Sequence, residues 1–262
     1  MKPIVRRGLG LLLIIACAAV WIVSSGMSRR ALSVVTCNGK EKLDVRVLDS
    51  LERRFVAKED VEKWLDKEYG AYAGQRLDSV NLARIETLLM GHSAVKTCEA
   101  WLTDDGTLHI QLTQRQPVVR FNTGTNGYYS DADGFIFPLQ ARGSVDVPVI
   151  DGSVPLQVTR GFKGELTNPT QKIWLGKIIA LATHIKSTSW EKEIVQITVT
   201  NDGNLIMKPA TGKETFLFGP PDRIPEKFSL MGKYYSAIVP AKGVGYYSTV
   251  DVRYKGQIVC NK

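Results

Sequence analysis

The sequence predicts an α+β protein in three parts: a single N-terminal transmembrane helix, a small unit ordered β-α-α-β-β, and a mainly antiparallel β domain with flanking helices. Three observations predict it. A stretch without charge near the N-terminus is bracketed by basic residues. Two amphipathic helical patterns then lie between short alternating strands. Beyond Gln116-Pro117 the texture changes to short strands punctuated by turn signals. The 262 residues leave room for two domains, and 44% apolar with 23% charged residues is globular composition.

The first part rests on charge. From Gly8 to Val23 no side chain is charged, and 21 residues separate Arg7 from Arg29. As a helix that gap spans roughly 30 Å, the thickness of a hydrocarbon core. Trp21 sits near one end, as an interfacial aromatic does. Two other readings compete with an uncleaved anchor. Ser24-Ser25-Gly26 could serve as a signal-peptide cleavage site, and Ile14-Ile15-Ala16-Cys17 looks like a lipobox. The apolar run is long for the first, and the apolar Ala18 to Val23 stretch argues against the second, so the anchor is favoured. Three basic residues precede the span and two follow, which puts the N-terminus in the cytoplasm and the bulk outside it. The formal charge of +8 is concentrated here: Lys2, Arg6, Arg7, Arg29 and Arg30 face no acid in the first 30 residues. The remainder is nearly balanced, which argues against a nucleic-acid binder.

In the second part, Leu43, Val45 and Val47 alternate as a half-buried strand. Val61, Trp64 and Leu65 share one face of a helix, which Gly70 and Gly74 break. A second helix is expected from Asp78 as its N-cap, with Leu82, Ile85, Leu88 and Leu89 on one side and Gly91 as its stop. Strands near 95–102 and 108–114 follow, joined by Asp104-Asp105-Gly106, a hairpin signal. A three-stranded sheet with both helices on one face results.

In the third part, Tyr128-Tyr129 and Phe135-Ile136-Phe137 read as a hairpin around Asp133-Gly134. Residues 147–152 close that section. Asn168-Pro169 opens a helix, an Asn cap with Pro in the first position, and Trp174, Ile178, Leu181 and Ile185 share its face. Residues 194–200 and 205–208 are strands around Asn201-Asp202-Gly203, and Phe216-Leu217-Phe218 is another. A helix is expected over 222–239, with Phe228, Met231 and Tyr235 facing the core. Residues 248–254 and 257–260 alternate as the last strands.

Catalytic and metal signatures are missing from the sequence. His92, His109 and His184 have no second ligand at metal spacing. There is no Gly-x-Ser-x-Gly elbow and no phosphate-binding loop. Gly243-Val244-Gly245 lacks the third glycine of a dinucleotide site. Asp131-Ala132-Asp133-Gly134 lacks the remaining ligands of a calcium loop, so it reads as a turn. No cofactor is expected. Cys17 falls in the apolar span as a small hydrophobe. Of Cys37, Cys98 and Cys260, a Cys37–Cys98 disulfide is open, because the strands near both belong to one sheet.

These residues carry a family likeness. The chain resembles the FtsQ (DivIB) cell-division proteins: bitopic, with an extracytoplasmic POTRA domain and a β domain. The stretch Leu108-His109-Ile110-Gln111-Leu112-Thr113-Gln114-Arg115-Gln116-Pro117-Val118 is similar to the family's domain boundary, L-x-I-x-V-x-(E/Q)-R-x-P-V. Tyr129-Ser130-Asp131-Ala132-Asp133-Gly134-Phe135-Ile136-Phe137 resembles its V-D-x-x-G-x-V-F, and Val147-Pro148-Val149-Ile150-Asp151-Gly152 its L-P-x-L-x-G. Phe216-Leu217-Phe218-Gly219 with Lys227-Phe228, and Val250-Asp251-Val252-Arg253-Tyr254-Lys255-Gly256-Gln257-Ile258-Val259, extend the match towards the C-terminus. Residues 153–167 align with nothing in the pattern, and the family's Asn before Gly256 is absent.

The resemblance implies a tail and span over residues 1–30, a POTRA domain over 31–115 and the β domain over 116–262. It implies a non-enzymatic scaffold of the inner membrane at the division septum, helping to control septal peptidoglycan synthesis. Partners would be FtsB/FtsL-like proteins, added as a strand at the C-terminal strand, and other division components through the POTRA domain. The residues matching the family's motif there are Val252, Arg253, Tyr254 and Gly256. Arg253 would pair with a partner carboxylate and Tyr254 would give a flat amphipathic contact. The other reading of these two is structural, with Tyr254 in the core and Arg253 as a charge that blunts the edge. Two other functions stand beside this one: a POTRA-bearing chaperone or translocation component of envelope assembly, and an anchored cell-wall enzyme.

Overall fold

The computed structural model describes residues 36–37, 42–49, 55–124 and 126–262. The segment from Gly8 to Val23 lies outside the described residues, and among those described no helix is long and apolar enough to cross a membrane. Chain contacts separate two compact units: one ending at Asp49 and resuming over Val56–Thr113, the other comprising Phe55 and Gln114–Lys262.

The smaller unit is a three-stranded sheet of β1 (Leu43–Val47), β2 (Val95–Leu102) and β3 (Leu108–Gln114), in the order β1-β3-β2. β1 runs parallel to β3, pairing Val45 with Ile110. Alternation along β3 buries Leu108, Ile110 and Leu112 on one face. Helices α1 (Lys58–Trp64) and α2 (Leu82–Met90) cover that face with Val61, Ile85 and Leu89, all fully buried. The helical pattern around Trp64 continues as a widened π turn over Leu65–Tyr69, and Gly70 ends it at φ +93. Asp78 does not cap α2. It sits in a single 3₁₀ turn, Leu77–Ser79, held by Arg76 at 2.7 Å. The cap is Asn81, whose side chain accepts from the Arg84 N–H at 2.9 Å.

The larger unit is a nine-stranded sheet. Its strands are β4 (Pro117–Thr123), β5 (Asn126–Asp131), β6 (Ile136–Pro138), β7 (Val149–Gly152), β8 (Gln196–Val199) and β9 (Leu205–Lys208). They are followed by β10 (Thr215–Gly219), β11 (Thr249–Asp251) and β12 (Val259–Asn261). The order is β12-β11-β10-β9-β8-β7-β4-β5-β6. Most neighbours are antiparallel, but β4–β7, β7–β8 and β10–β11 are parallel. Two of these parallel pairs are joined through helices: α3 (Pro169–Lys186) lies between β7 and β8, α4 (Ile224–Lys233) between β10 and β11. Asn168 caps α3 as its sequence indicates, accepting from Thr170 N–H at 2.9 Å with Pro169 in the first turn.

The core lies between these helices and one face of the sheet. Ile178, Leu181 and Ile185 of α3 and Phe228 and Met231 of α4 meet Phe121, Ile197, Met207, Phe216, Phe218 and Val250. Each such side chain withdrawn from water contributes roughly 1.5–3 kcal/mol. Trp174, expected on the buried face of α3, packs against the core beside Phe121 but is only partly buried. The helix expected over 222–239 begins at Ile224, because Arg223 adopts a left-handed conformation (φ +46). It then widens into a π turn over Tyr234–Ile238 before the short α5 (Val239–Lys242).

Candidate functional site

β12 is the terminal strand of the large sheet. Its inner side pairs with β11 in antiparallel register, Val250 opposite Cys260. Among the described residues no strand pairs with its outer side. Asn261 turns its carbonyl inward to the Ser248 N–H at 2.9 Å. Strand alternation then turns the N–H and C=O of Cys260 outward, away from β11. Outward backbone groups at a sheet edge are a template for another strand.

The residues expected to line this edge are placed otherwise. The strand read over 248–254 stops at Asp251, so β11 is interior and Val252, Arg253, Tyr254 and Gly256 form the connection to β12. Local bonding ends the strand: Asp251 Oδ1 accepts the Arg253 backbone N–H at 3.0 Å, and Gly256 takes φ +67. Val252 is fully buried in the core, which removes its side chain from any partner surface. The Arg253 fork is already occupied, since Nη2 donates to Asp251 Oδ2 at 2.6 Å and Nε to Oδ1 at 2.9 Å. Tyr254 is 52% exposed.

The connection is fastened on several sides. The Val252 N–H donates to the Leu217 carbonyl at 3.2 Å. The Arg253 side chain lies across Gly219 in β10, whose φ is +73; a Cβ there would come within 2.8 Å of Arg253 Cγ. Arg223 Nη2 donates to the Arg253 carbonyl, and Glu226 Oε1 accepts the Gly256 N–H at 3.0 Å. Beneath them Lys227, with no exposed surface, donates to the Pro220 carbonyl at 2.6 Å and to Asp222 Oδ1 at 2.7 Å. The Lys227 bond and charge hold the Asp222 carboxyl below its usual range.

Sequence reasoning missed a second exposed group in this unit. Val244 and Tyr246 are exposed in the loop before β11, as is Val259 on β12, and Lys262 Nζ stands 4.5 Å over the Tyr246 ring. The available signal was Gly243-Val244-Gly245, two glycines presenting an apolar residue on a turn.

The Cys37–Cys98 bridge is not formed; both thiols are free and buried. The premise of a shared sheet fails, because Cys37 lies on none of its three strands. Cys37 pairs by backbone bonds with Gly74 and Gln75, whereas Cys98 sits on β2. Burial, and then Glu86 and Glu99, push the Cys98 thiol up to about 12. His109 bonds Asp44 at 3.0 Å and stacks on Trp101, and His92 stacks on Trp64. Among the described residues no group of three or more His, Cys, Asp or Glu could hold a metal ion.

Comparison with known families agrees with this architecture. Residues 37–113 match the POTRA-like domain. Residues 116–261 match the family described as FtsQ/DivIB, C-terminal related, which is more than half of the chain. The chain belongs to the FtsQ/DivIB family. A search of curated proteins finds no match. FtsQ/DivIB proteins are membrane-anchored, non-enzymatic scaffolds of cell division, so both units of this chain are domains of a division protein. In FtsQ/DivIB terms the open edge described above is the C-terminal end of the β domain.

Proposed function

We propose that this FtsQ/DivIB protein is a division scaffold of the inner membrane that binds an FtsB/FtsL-like segment by strand addition at the outer side of β12, linking it to septal peptidoglycan synthesis. The supporting observation is the position of β12 at the end of the sheet, with no strand on its outer side among the described residues. Backbone groups centred on Cys260 supply generic affinity, and the neighbouring side chains choose the partner. Tyr254, exposed on the adjoining connection, is the principal aromatic contact. Arg253 acts chiefly on its own chain, through Asp251, and contributes to the partner with the donors left over. Gly256 shapes the turn. The apolar span from Gly8 to Val23 anchors the chain, with both units on the periplasmic side. The POTRA-like unit recruits other division components, for which β2 offers a second sheet edge, with Trp101 exposed on it.

The test is calorimetric titration of the full-length chain in detergent with the periplasmic segment of an FtsB-like protein. Tyr254→Ala is expected to weaken binding roughly thirtyfold, about 2 kcal/mol. Cys260→Pro deletes the outward N–H, which the β11 ladder does not use, and is expected to do the same at an edge that tolerates proline. Wild-type affinity in both variants moves the interface elsewhere.

A further inference from the structure

The connection that carries Tyr254 is held from below by a neighbouring helix, and that helix begins in an unusual way. Arg223 is the single non-glycine residue at positive φ among those described. A left-handed arginine at a helix cap costs on the order of 1 kcal/mol and persists only where its surroundings fix it. Nothing at the cap repays it by side-chain capping. Its side chain instead reaches across the fold, 30 residues along the chain, to the Arg253 carbonyl, and its Nη1 stands 3.5 Å from Glu226 Oε2. One helical turn on, Glu226 gives its other oxygen to the Gly256 N–H. Buried Lys227 ties the loop at Pro220 and Asp222 that sets where the helix starts. The two bonds thus bracket Tyr254, one at the preceding residue and one two residues after it.

From this geometry we infer that Arg223 and Glu226 are positioning residues for partner capture: they hold the Tyr254 connection in its bound shape before the partner arrives. This rests on the reading of β12 as the docking edge. A turn fixed in advance spares the entropy of ordering it on binding, and that saving appears as affinity. Neither residue needs to touch the partner.

The experiment compares Glu226→Ala, Glu226→Gln and Arg223→Gly in the full-length chain, with a synthetic peptide of the FtsB-like periplasmic segment as the probe. Glu226→Ala should weaken binding about five- to tenfold and speed amide exchange at Gly256, while exchange in β10 stays unchanged. Glu226→Gln keeps an acceptor for Gly256 and should stay within about twofold of wild type. Arg223→Gly relieves the left-handed strain, so its melting temperature should equal or exceed that of wild type while affinity falls about fivefold. A merely structural role cannot separate those two readouts. If the wild-type chain binds the peptide and Glu226→Ala and Arg223→Gly bind it equally well, the positioning role is overturned and the docking edge stands. If the wild-type chain does not bind it, both are overturned.

Discussion

Arg253 and Asp251 close a bidentate ion pair across a single intervening residue, and the Asp251 side chain is nearly buried while that of Arg253 is 39% exposed. The pair converts the end of β11 into a turn. It also leaves this arginine little freedom to meet a partner at the proposed docking edge.

Replacing Arg253 therefore acts first on folding. Arg253→Ala leaves a buried carboxylate without its cation and should cost about 2–3 kcal/mol, measured by urea unfolding. Burial pushes the Asp251 carboxyl up, but the side-chain bond, backbone N–H and charge of Arg253 together outweigh it and hold it below its ordinary value. A carboxyl depressed in the folded state contributes stability that is complete above its unfolded pKa of about 3.9. That stability is lost as pH falls through the lower folded value. The difference in unfolding free energy between wild type and Asp251→Asn should accordingly shrink as acidity increases below about pH 4.

Two glycines, Gly256 in the connection and Gly219 in β10 beneath Arg253, separate strain from crowding. At Gly256 a methyl group meets nothing within 4 Å, so Gly256→Ala should cost only the left-handed conformation, about 1 kcal/mol. At Gly219 the same substitution adds a 2.8 Å approach to Arg253 Cγ. Gly219→Ala should lower the melting temperature further than Gly256→Ala and weaken the Arg253–Asp251 pair with it.

A second buried ion pair pins the start of the β domain. Arg115 Nη1 donates to Asp131 Oδ2 at 2.8 Å, and its guanidinium lies 3.3 Å from the centre of the Phe135 ring. Asp131 Oδ1 accepts the backbone N–H groups of Asp133 and Phe135. Asp131→Ala should cost about 3–5 kcal/mol in chemical denaturation. Arg115→Lys should recover little, since an ammonium reproduces neither the fork nor the flat stacking surface.

The thiols give an independent check on the small unit. Without a bridge, Cys37 and Cys98 are inert through burial, and the Cys98 thiol stays protonated until about pH 12. Alkylation of the native chain at pH 8, read by mass spectrometry, should modify Cys260 before either. Recovery of a linked Cys37–Cys98 peptide without reductant would refute the arrangement.

Elements that advertise themselves locally were readable in the sequence. Asn168-Pro169, the Asp105-Gly106 turn and the alternation along β3 each combine side-chain chemistry with period, and each is found where its residues put it. The failures all involve competition or long range. Asp78 and Asn81 are both good caps, and the choice fell to Asn81 because Arg76 engages Asp78. Parallel pairing of β10 with β11 depends on contacts across the sheet, which no window of neighbouring residues encodes. Arg253 and Tyr254 alternate like strand residues, yet Asp251 bends the chain before them. Arg223 carries no sequence mark at all, as its left-handed backbone is a product of what its side chain reaches.

The two margins of the large sheet are not equivalent. At the β6 margin, Gly164 exchanges a pair of 2.9 Å hydrogen bonds with Ile136, stoppering a strand of three residues, while among the described residues no strand covers the β12 margin. A ribbon stoppered at one end can be lengthened only from the other. On the proposed docking reading, a single added strand at β12 would therefore fill the one margin left for it.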